Sequence, residues 1–222
     1  MSASGERSRT TRLSRSLHGS REAVRAGPLM AFDISRKTFI AGERVDMQGL
    51  AATLGVDRAT LFRWVGNRDQ LLGEVIWSVA EPTLRRAFDV AEGEGPTRVS
   101  EAIAGFVVAV TEAEFFSVYL RRERDRALRL LTTQASSFQH RLIKAFEDLL
   151  VKEVATGTTY PLPVHDLAYV IARICESFIY SDLITGEPPN PDKAALAIAA
   201  LLGVVREKPP SAAGKINGEV RS

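Results

Sequence analysis

The chain has 222 residues, of which 45% are hydrophobic and 25% are charged, with a net charge of +2, and this balance is that of an ordinary globular protein. The longest nearly pure apolar run, residues 194–205, is too short to cross a bilayer, and the arginine-rich N-terminus lacks the apolar core of a signal peptide, so we expect a cytoplasmic protein. The single cysteine, Cys175, excludes an internal disulfide framework.

The charge is unevenly placed along the chain. Residues 1–27 hold six arginines against two glutamates and show no apolar periodicity. This predicts a flexible basic arm, which serves either solubility alone or a weak contact with phosphate. Residues 207–222 contain two prolines and two glycines and predict a second flexible tail.

Between these tails the apolar residues recur with helical spacing and never alternate for long with period two, which predicts an all-α protein of about nine helices without a sheet. Pro82 interrupts the long fourth helix, where its missing amide donor favours a kink or a fresh start. The first predicted helix begins at Pro28 and ends at Gly42. The second covers 47–54 after the N-cap Asp46, the third lies between Asp57 and Gly66, and the long fourth follows a capping box of Asn67 and Gln70. Further helices are predicted over about 96–114, within 115–131, from 138 to near 157, over 165–185 and over 192–206.

Residues 47–66 meet the steric requirements of a helix-turn-helix. Ala51 is small where the second helix crosses the first, Gly55 supplies a positive φ for the turn, and Leu61 is spaced to be buried between the helices. Leu50, Leu54, Val56 and Trp64 supply the other inward positions. We therefore predict a DNA-binding unit; the alternative is a structural hairpin with a solvated basic face.

The outward positions of the second helix then carry arginine and no acid. Arg58 is the best candidate to read a base, since a guanidinium pairs bidentately with guanine and the N-terminal residues of a recognition helix meet base edges. Thr60 can bond either a phosphate or a base edge. Arg63 is better placed for phosphate, where it adds affinity without sequence information.

The segment LAATLGVDRATLFRWV at 50–65, followed by NRDQLL at 67–72, resembles the DNA-binding domain of the TetR family of bacterial repressors over roughly residues 28–75. The resemblance implies an all-helical homodimer whose C-terminal domain binds a small-molecule inducer. It also implies that Thr60, Arg63, Trp64 and Arg68 contact DNA, mostly at phosphates, with Gln48 as a further backbone contact. Phe62 stands where a tyrosine is usual; it lacks that hydroxyl, although its ring can touch a thymine methyl.

The phrase AGERVDM at 41–47, together with RWVG at 63–66, also resembles a narrower branch, the QsdR-type regulators of quorum-signal lactone degradation. That resemblance implies a lactone-like effector, such as an acyl homoserine lactone or a γ-lactone.

The predicted helix over 165–185 is mostly apolar but carries Tyr169, Arg173, Glu176 and Tyr180 on one stripe. The stripe is either the wall of an effector pocket or an internal Arg173–Glu176 pair with satisfied tyrosines. Trp77, Phe106, Phe116, Tyr119, Phe138 and Phe146 can likewise line a pocket or be plain core. The predicted effector-binding residues are Trp77, Phe106, Tyr119, Phe138, Tyr169, Arg173, Glu176 and Tyr180.

The alanine-rich segment 194–205 is apolar all round, so it needs cover on nearly every side. It is either a face that a symmetry mate completes as a four-helix bundle or the central helix of a monomer. A homodimer also places two recognition helices on half-sites one DNA turn apart.

The sequence shows no phosphate-binding glycine loop, nucleophile elbow or acid–base pair, so we expect no enzymatic activity and no cofactor. His140 and His165 lack a metal-ligand spacing. We divide the chain into a basic arm at 1–27, a helix-turn-helix DNA-binding domain at 28–72, an effector-binding and dimerisation domain at 73–206 and a tail at 207–222. The predicted function is a ligand-responsive dimeric repressor of operator DNA; the alternative is a DNA-binding or scaffold protein without an effector.

Overall fold

A computed structural model describes residues 27–134 and 136–204, and the predicted tail at 207–222, like the predicted arm up to residue 26, lies outside this part of the chain. The described residues form helices and no strand, which confirms the predicted all-α class. Eleven helices are present in this part where about nine were predicted: α1 Pro28–Ile40, α2 Met47–Leu54, α3 Arg58–Val65, α4 Arg68–Val90, α5 Gly95–Glu112, α6 Glu114–Arg122, α7 Arg124–Thr132, α8 Phe138–Val154, α9 Val164–Ile179, α10 Ser181–Ile184 and α11 Pro191–Leu201.

The first three helices and the start of α4 form a small unit whose ends follow local signals. The Asp46 carboxylate accepts the amide of Gly49 at 2.6 Å and so caps α2. Asn67 and Gln70 form the predicted capping box of α4, with reciprocal bonds of 2.8 and 2.9 Å. Each of these bonds spans three residues, so the sequence alone was sufficient to predict them.

Of the two alternatives at Pro82, a kink or a fresh start, the fresh start is wrong, because α4 runs without a break from Arg68 to Val90. A proline in a helix interior removes one backbone hydrogen bond, at a cost of about 3 kcal/mol. Leu84 and Phe88, beyond the proline, are both buried in the core, and α4 packs along α5. Tertiary packing of this face offsets the lost bond and keeps the helix continuous.

The larger body of the described chain is built around α5, which packs against α4 and α11, while α9 packs against α8 and α11. α4 also packs against α1. The predicted division after residue 72 therefore falls inside a helix that both parts share, and it stays a prediction. Among the described residues, no single helix is long and apolar enough to cross a membrane.

The predicted helix over 165–185 divides at Tyr180, which ends α9 and precedes the short α10. The Arg124 guanidinium donates to the carbonyls of Asp182 and Leu183 at 3.0 and 3.3 Å. These carbonyls of α10 are thus bonded from α7, a contact that periodicity within the segment does not reveal. The break turns Tyr180 into the core, where it is 3% exposed.

Candidate functional site

The turn between α2 and α3 sets the direction of the exposed helix α3. Gly55 has φ 65°, the left-handed conformation that glycine adopts without strain. The carboxylate of Asp57 accepts the Thr60 amide at 2.6 Å and caps α3, and this backbone bond, together with the nearby hydroxyl and Arg63, lowers the pKa of Asp57. Leu61 is 1% exposed, so α3 is held by its inner face and presents the opposite one.

The presented face of α3 carries Arg58, Ala59, Phe62 and Arg63, all exposed. Phe62 is 58% exposed, so its ring is available to a partner. The guanidinium of Arg63 donates to the Thr60 hydroxyl at 2.8 Å, and that hydroxyl lies 3.2 Å from Asp57 Oδ2. Arg63 is therefore partly positioned within the helix before any partner arrives.

Two further predicted DNA contacts lie beside this face. Gln48 is exposed at the start of α2, whereas Trp64 is half-buried and packs against the core. Trp64 thus serves as one of the predicted inward positions while keeping part of its ring accessible.

Arg68, a further predicted DNA contact, is bonded within the protein. Its Nη1 and Nη2 donate to the two carboxylate oxygens of Glu123 at 2.5 and 2.6 Å, and its Nε donates to the Val45 carbonyl at 2.6 Å. The side chains of Arg68 and Glu123 are only 11% and 9% exposed. Arg68 therefore uses its fork of donors inside the protein, which the resemblance to DNA-contacting positions did not indicate.

The other half of the molecule contains a cavity of about 270 Å³. Helices α4, α5, α6, α8 and α9 form its wall, and α1 contributes Phe39. The lining is mostly aliphatic and aromatic, with Thr83 and Arg86 from α4 and Glu176 and Tyr180 near the end of α9 as polar groups. An apolar cavity with a few convergent polar groups is the usual form of a small-molecule site.

Four of the eight predicted effector residues line this cavity, namely Phe106, Phe138, Glu176 and Tyr180. Trp77 and Tyr119 lie behind the wall. The Trp77 ring stands edge-on to Phe138 at 6.0 Å, and Tyr119, 1% exposed, stands edge-on to Phe39 at 5.3 Å. Both rings therefore support lining residues.

Tyr169 and Arg173 do not line the cavity either, although they lie on α9 together with Glu176. Tyr169 is 49% exposed, and the Arg173 guanidinium lies 5.4 Å from its ring centre. Arg173 also donates to Glu176 at 3.0 Å. The internal pair and the pocket wall are thus both present, since Glu176 belongs to each.

Glu176 and Arg173, the predicted internal pair, form a polar cluster with Gln139, which the sequence did not indicate. Glu176 Oε1 accepts hydrogen bonds from Gln139 Nε2 and from Arg173, and Arg173 also donates to the Gln139 amide oxygen. Burial raises the pKa of Glu176 to about 7, against the opposing effects of Gln139 and Arg173. Gln139 lies 37 residues from Glu176 in sequence, and no local pattern signals the contact.

Three consecutive residues between α6 and α7 join the cavity side to the α1–α3 unit. Arg122 donates to the Gly42 carbonyl at 2.8 Å, Glu123 binds Arg68, and Arg124 bonds the carbonyls of α10. Burial alone would raise the pKa of Glu123, but the hydrogen bonds and charge of Arg68, with Arg44 and Arg122, lower it. In the sequence this charged run is indistinguishable from a solvated face.

No group of three or more potential metal ligands occurs among residues 27–134 and 136–204. Cys175 is fully buried in the cavity wall, and burial raises the pKa of its thiol well above the ordinary range. It therefore acts as a small apolar residue.

Comparison with known proteins adds to this geometry. Residues 94–203 match the family model described as "Tetracyclin repressor-like, C-terminal domain". The transcriptional repressor QsdR of R. erythropolis, from the TetR family, has a similar structure with a TM-score of 0.76 and 32% sequence identity, over 82% of this chain and 96% of QsdR. The TetR-family repressor AlkX of Dietzia sp. strain DQ12-45-1b, implicated in biodegradation of n-alkanes, has a TM-score of 0.55 and 23% identity, over 83% and 96% of the two chains. No match occurs among the curated proteins.

Proposed function

The chain belongs to the TetR family of transcriptional repressors, and from this membership we propose that it is a homodimeric repressor that a small hydrophobic effector releases from operator DNA. Helix α4 carries the proposal. Its first turn packs into the α1–α3 unit, and its middle supplies Ile76, Val79 and Thr83 to the cavity wall. One continuous helix therefore contacts both the α1–α3 unit (the DNA-reading unit) and the proposed effector site.

In this proposal α3 enters the major groove. Arg58, at the first position of the helix, reads a guanine, and Thr60 bonds a base edge or a phosphate. Arg63, Trp64 and Gln48 contact phosphates, and the exposed ring of Phe62 meets a thymine methyl. Arg68 contributes indirectly by fixing α4 through Glu123.

The dimer is proposed to form through α9 and α11. Tyr169 on α9 and Leu196 on α11 are 49% and 46% exposed in the single chain, and the two helices pack against each other. A second copy related by two-fold symmetry covers both residues and completes a four-helix bundle. Such a dimer places two α3 helices about 34–36 Å apart, as two half-sites on one face of DNA require.

The effector is proposed to occupy the α4–α9 cavity. Its volume of about 270 Å³ lies just below the range of about 300–1,000 Å³ typical of sites for drug-sized ligands, which favours a compact molecule. The likeness to QsdR supports a lactone-like effector. Occupation shifts the population toward a spacing of the α3 helices that no longer matches the half-sites. No catalytic step is involved.

A gel-shift titration against the DNA upstream of the gene tests this function. We expect a specific complex that γ-lactones or acyl homoserine lactones dissociate. Repetition at several salt concentrations separates the phosphate contribution from base reading. An operator affinity that stays constant at saturating effector would instead favour the effector-independent DNA-binding protein.

A further inference from the structure

Tyr180 is a polar side chain of the cavity wall whose hydroxyl is not used in the hydrogen bonds described above. It is 3% exposed and lines the cavity next to Glu176. None of the hydrogen bonds among residues 27–134 and 136–204 involves its hydroxyl, and this hydroxyl is not among the atoms sealed from solvent without a partner. A hydroxyl donor in the wall of an otherwise apolar cavity is therefore available to a ligand atom.

The hydrogen bonds around Tyr180 indicate which kind of ligand atom its hydroxyl can bind. The Oε1 atom of Glu176 already accepts from Gln139 and Arg173. Because Tyr180 lines the cavity and donates no hydrogen bond to Glu176, its hydroxyl can donate to an oxygen acceptor of a ligand held there.

The charges of the wall disfavour an anionic ligand. Glu176 is the one acidic residue among those that line the cavity. The nearest counter-charge, Arg173, lies outside the lining and is bonded to Gln139 and Glu176. Arg86 lines the cavity from α4 but is exposed to solvent. A carboxylate placed at Tyr180 would meet the carboxyl of Glu176 in an apolar surrounding without a partner of its own.

We propose that the cavity selects uncharged, compact effectors whose carbonyl or ring oxygen accepts a hydrogen bond from Tyr180, while Glu176 excludes the corresponding carboxylates. The apolar body of the effector then packs against Phe106, Phe138 and Leu142, which line the same cavity. This inference rests on the proposed effector-responsive function and adds the chemical class that the site accepts.

A γ-lactone and its ring-opened γ-hydroxycarboxylate are suitable probes, because they share one carbon skeleton and differ in charge. Calorimetric titration of the full-length protein with each probe, at about pH 8 so that Glu176 is ionised, measures the two dissociation constants. We expect the lactone to bind at least about 10-fold more tightly, because the ring-opened form must bury a carboxylate charge that the cavity does not neutralise. Operator release measured in parallel by gel shift should follow the same order.

Tyr180→Phe has a matched control in Tyr119→Phe. Both tyrosine side chains are buried, but the Tyr119 hydroxyl is sealed inside the protein without a partner, whereas Tyr180 lines the cavity. Tyr180→Phe should weaken lactone binding roughly 3- to 10-fold, as expected for one hydrogen bond, and Tyr119→Phe should leave it unchanged. Glu176→Gln should narrow the preference for the lactone over its ring-opened form. Operator binding without effector verifies that each variant is folded.

Equal binding of the lactone and its ring-opened form, or equal effects of the two tyrosine variants, overturns this inference but leaves the repressor function intact. If neither probe, nor an acyl homoserine lactone of similar size, changes operator affinity, the effector-responsive function fails and this inference fails with it.

Discussion

Arg68 and Glu123 form a bidentate ion pair, with nitrogen–oxygen distances of 2.5 and 2.6 Å, that joins the first residue of α4 to the junction of α6 and α7. The flanking residues of Glu123 extend this junction: Arg122 bonds Gly42 after α1, and Arg124 bonds α10, directly after the cavity residue Tyr180. The position of the DNA-reading unit is thereby tied to the side of the molecule that contains the cavity.

Loss of this pair should be costly. Truncating Arg68 leaves the buried Glu123 carboxylate without its two hydrogen bonds and with only the more distant Arg44 and Arg122, each at 3.9 Å. We therefore expect Arg68→Ala to lower the free energy of unfolding by about 3 kcal/mol, the lower end of the effect for a broken buried pair. Urea denaturation measures the change. Arg85→Ala is the control on the same helix, since the Arg85–Glu81 side chains are 65% and 36% exposed and such a pair contributes less than about 1 kcal/mol. Equal effects of the two variants would show that Arg68 is not a structural residue.

Arg58 and Arg63 should differ in what they contribute to DNA binding. Arg58→Ala should weaken operator binding by about 1–3 kcal/mol and relax the preference at one base pair. Arg63→Ala should weaken binding to all sequences similarly and reduce the slope of log K against log salt by about one unit. Binding to a library of single-base operator variants at several salt concentrations measures both. Exchanged behaviour would reverse the two assignments.

Phe62 should respond to the thymine methyl. Replacing each operator thymine with uracil removes one methyl group, and we expect one such position per half-site to lose affinity with the wild-type protein. Phe62→Ala should lose affinity for the unmodified operator and show no further loss with uracil. Because Phe62 is 58% exposed, the thermal stability of this variant should be unchanged. Additive losses from uracil and from Phe62→Ala would exclude the contact.

The proposed dimer face can be disrupted by charge. Leu196→Arg places a cation at the centre of the α9–α11 face, and we expect it to produce monomers that bind operator DNA weakly. Val90→Arg is the control, since Val90 at the end of α4 is 78% exposed and lies outside that face. Sedimentation velocity distinguishes the two species. A Leu196→Arg protein that remains dimeric would place the interface elsewhere.

Glu176 should make stability depend on pH. Its pKa rises from 4.5 to about 7 because it is buried, despite the bonds from Gln139 and Arg173. Between these two values the folded protein holds a proton that the unfolded chain has released, so the contribution of Glu176 to stability is greatest below about 4.5 and falls as the pH rises toward 7. We therefore expect the unfolding free energy of Glu176→Gln, minus that of the wild type, to increase as the pH rises through this range. Urea denaturation at several pH values measures this difference. A constant difference would show that Glu176 does not titrate in this range.

Much of the DNA-reading unit followed from the sequence. The caps at Asp46, Asp57 and Asn67, the turn at Gly55 and the inward position of Leu61 all depend on residues within one or two helical turns of each other. Such contacts form between neighbours in the chain, so their spacing is visible before any fold is known.

The effector side was predictable only in part. Phe106, Phe138, Glu176 and Tyr180 were recognised as candidates from residue type and stripe, and they line the cavity. Tyr169 and Arg173 share that stripe but do not line the cavity, and Tyr169 is 49% exposed. Residue type and periodicity identify a helix face, whereas the space between five helices depends on how they pack.

Arg68 shows the difference between what the sequence determines and what the tertiary structure determines. By itself the sequence determined that α3 is an exposed, arginine-bearing helix behind a glycine turn, because sterics and capping act over a few residues. Only the tertiary structure decided that Arg68 faces Glu123, 55 residues away in sequence, and that α4 continues through Pro82. An arginine bonds whichever acceptor the folded chain brings within reach, and a proline is tolerated where burial on both sides of it offsets the missing hydrogen bond.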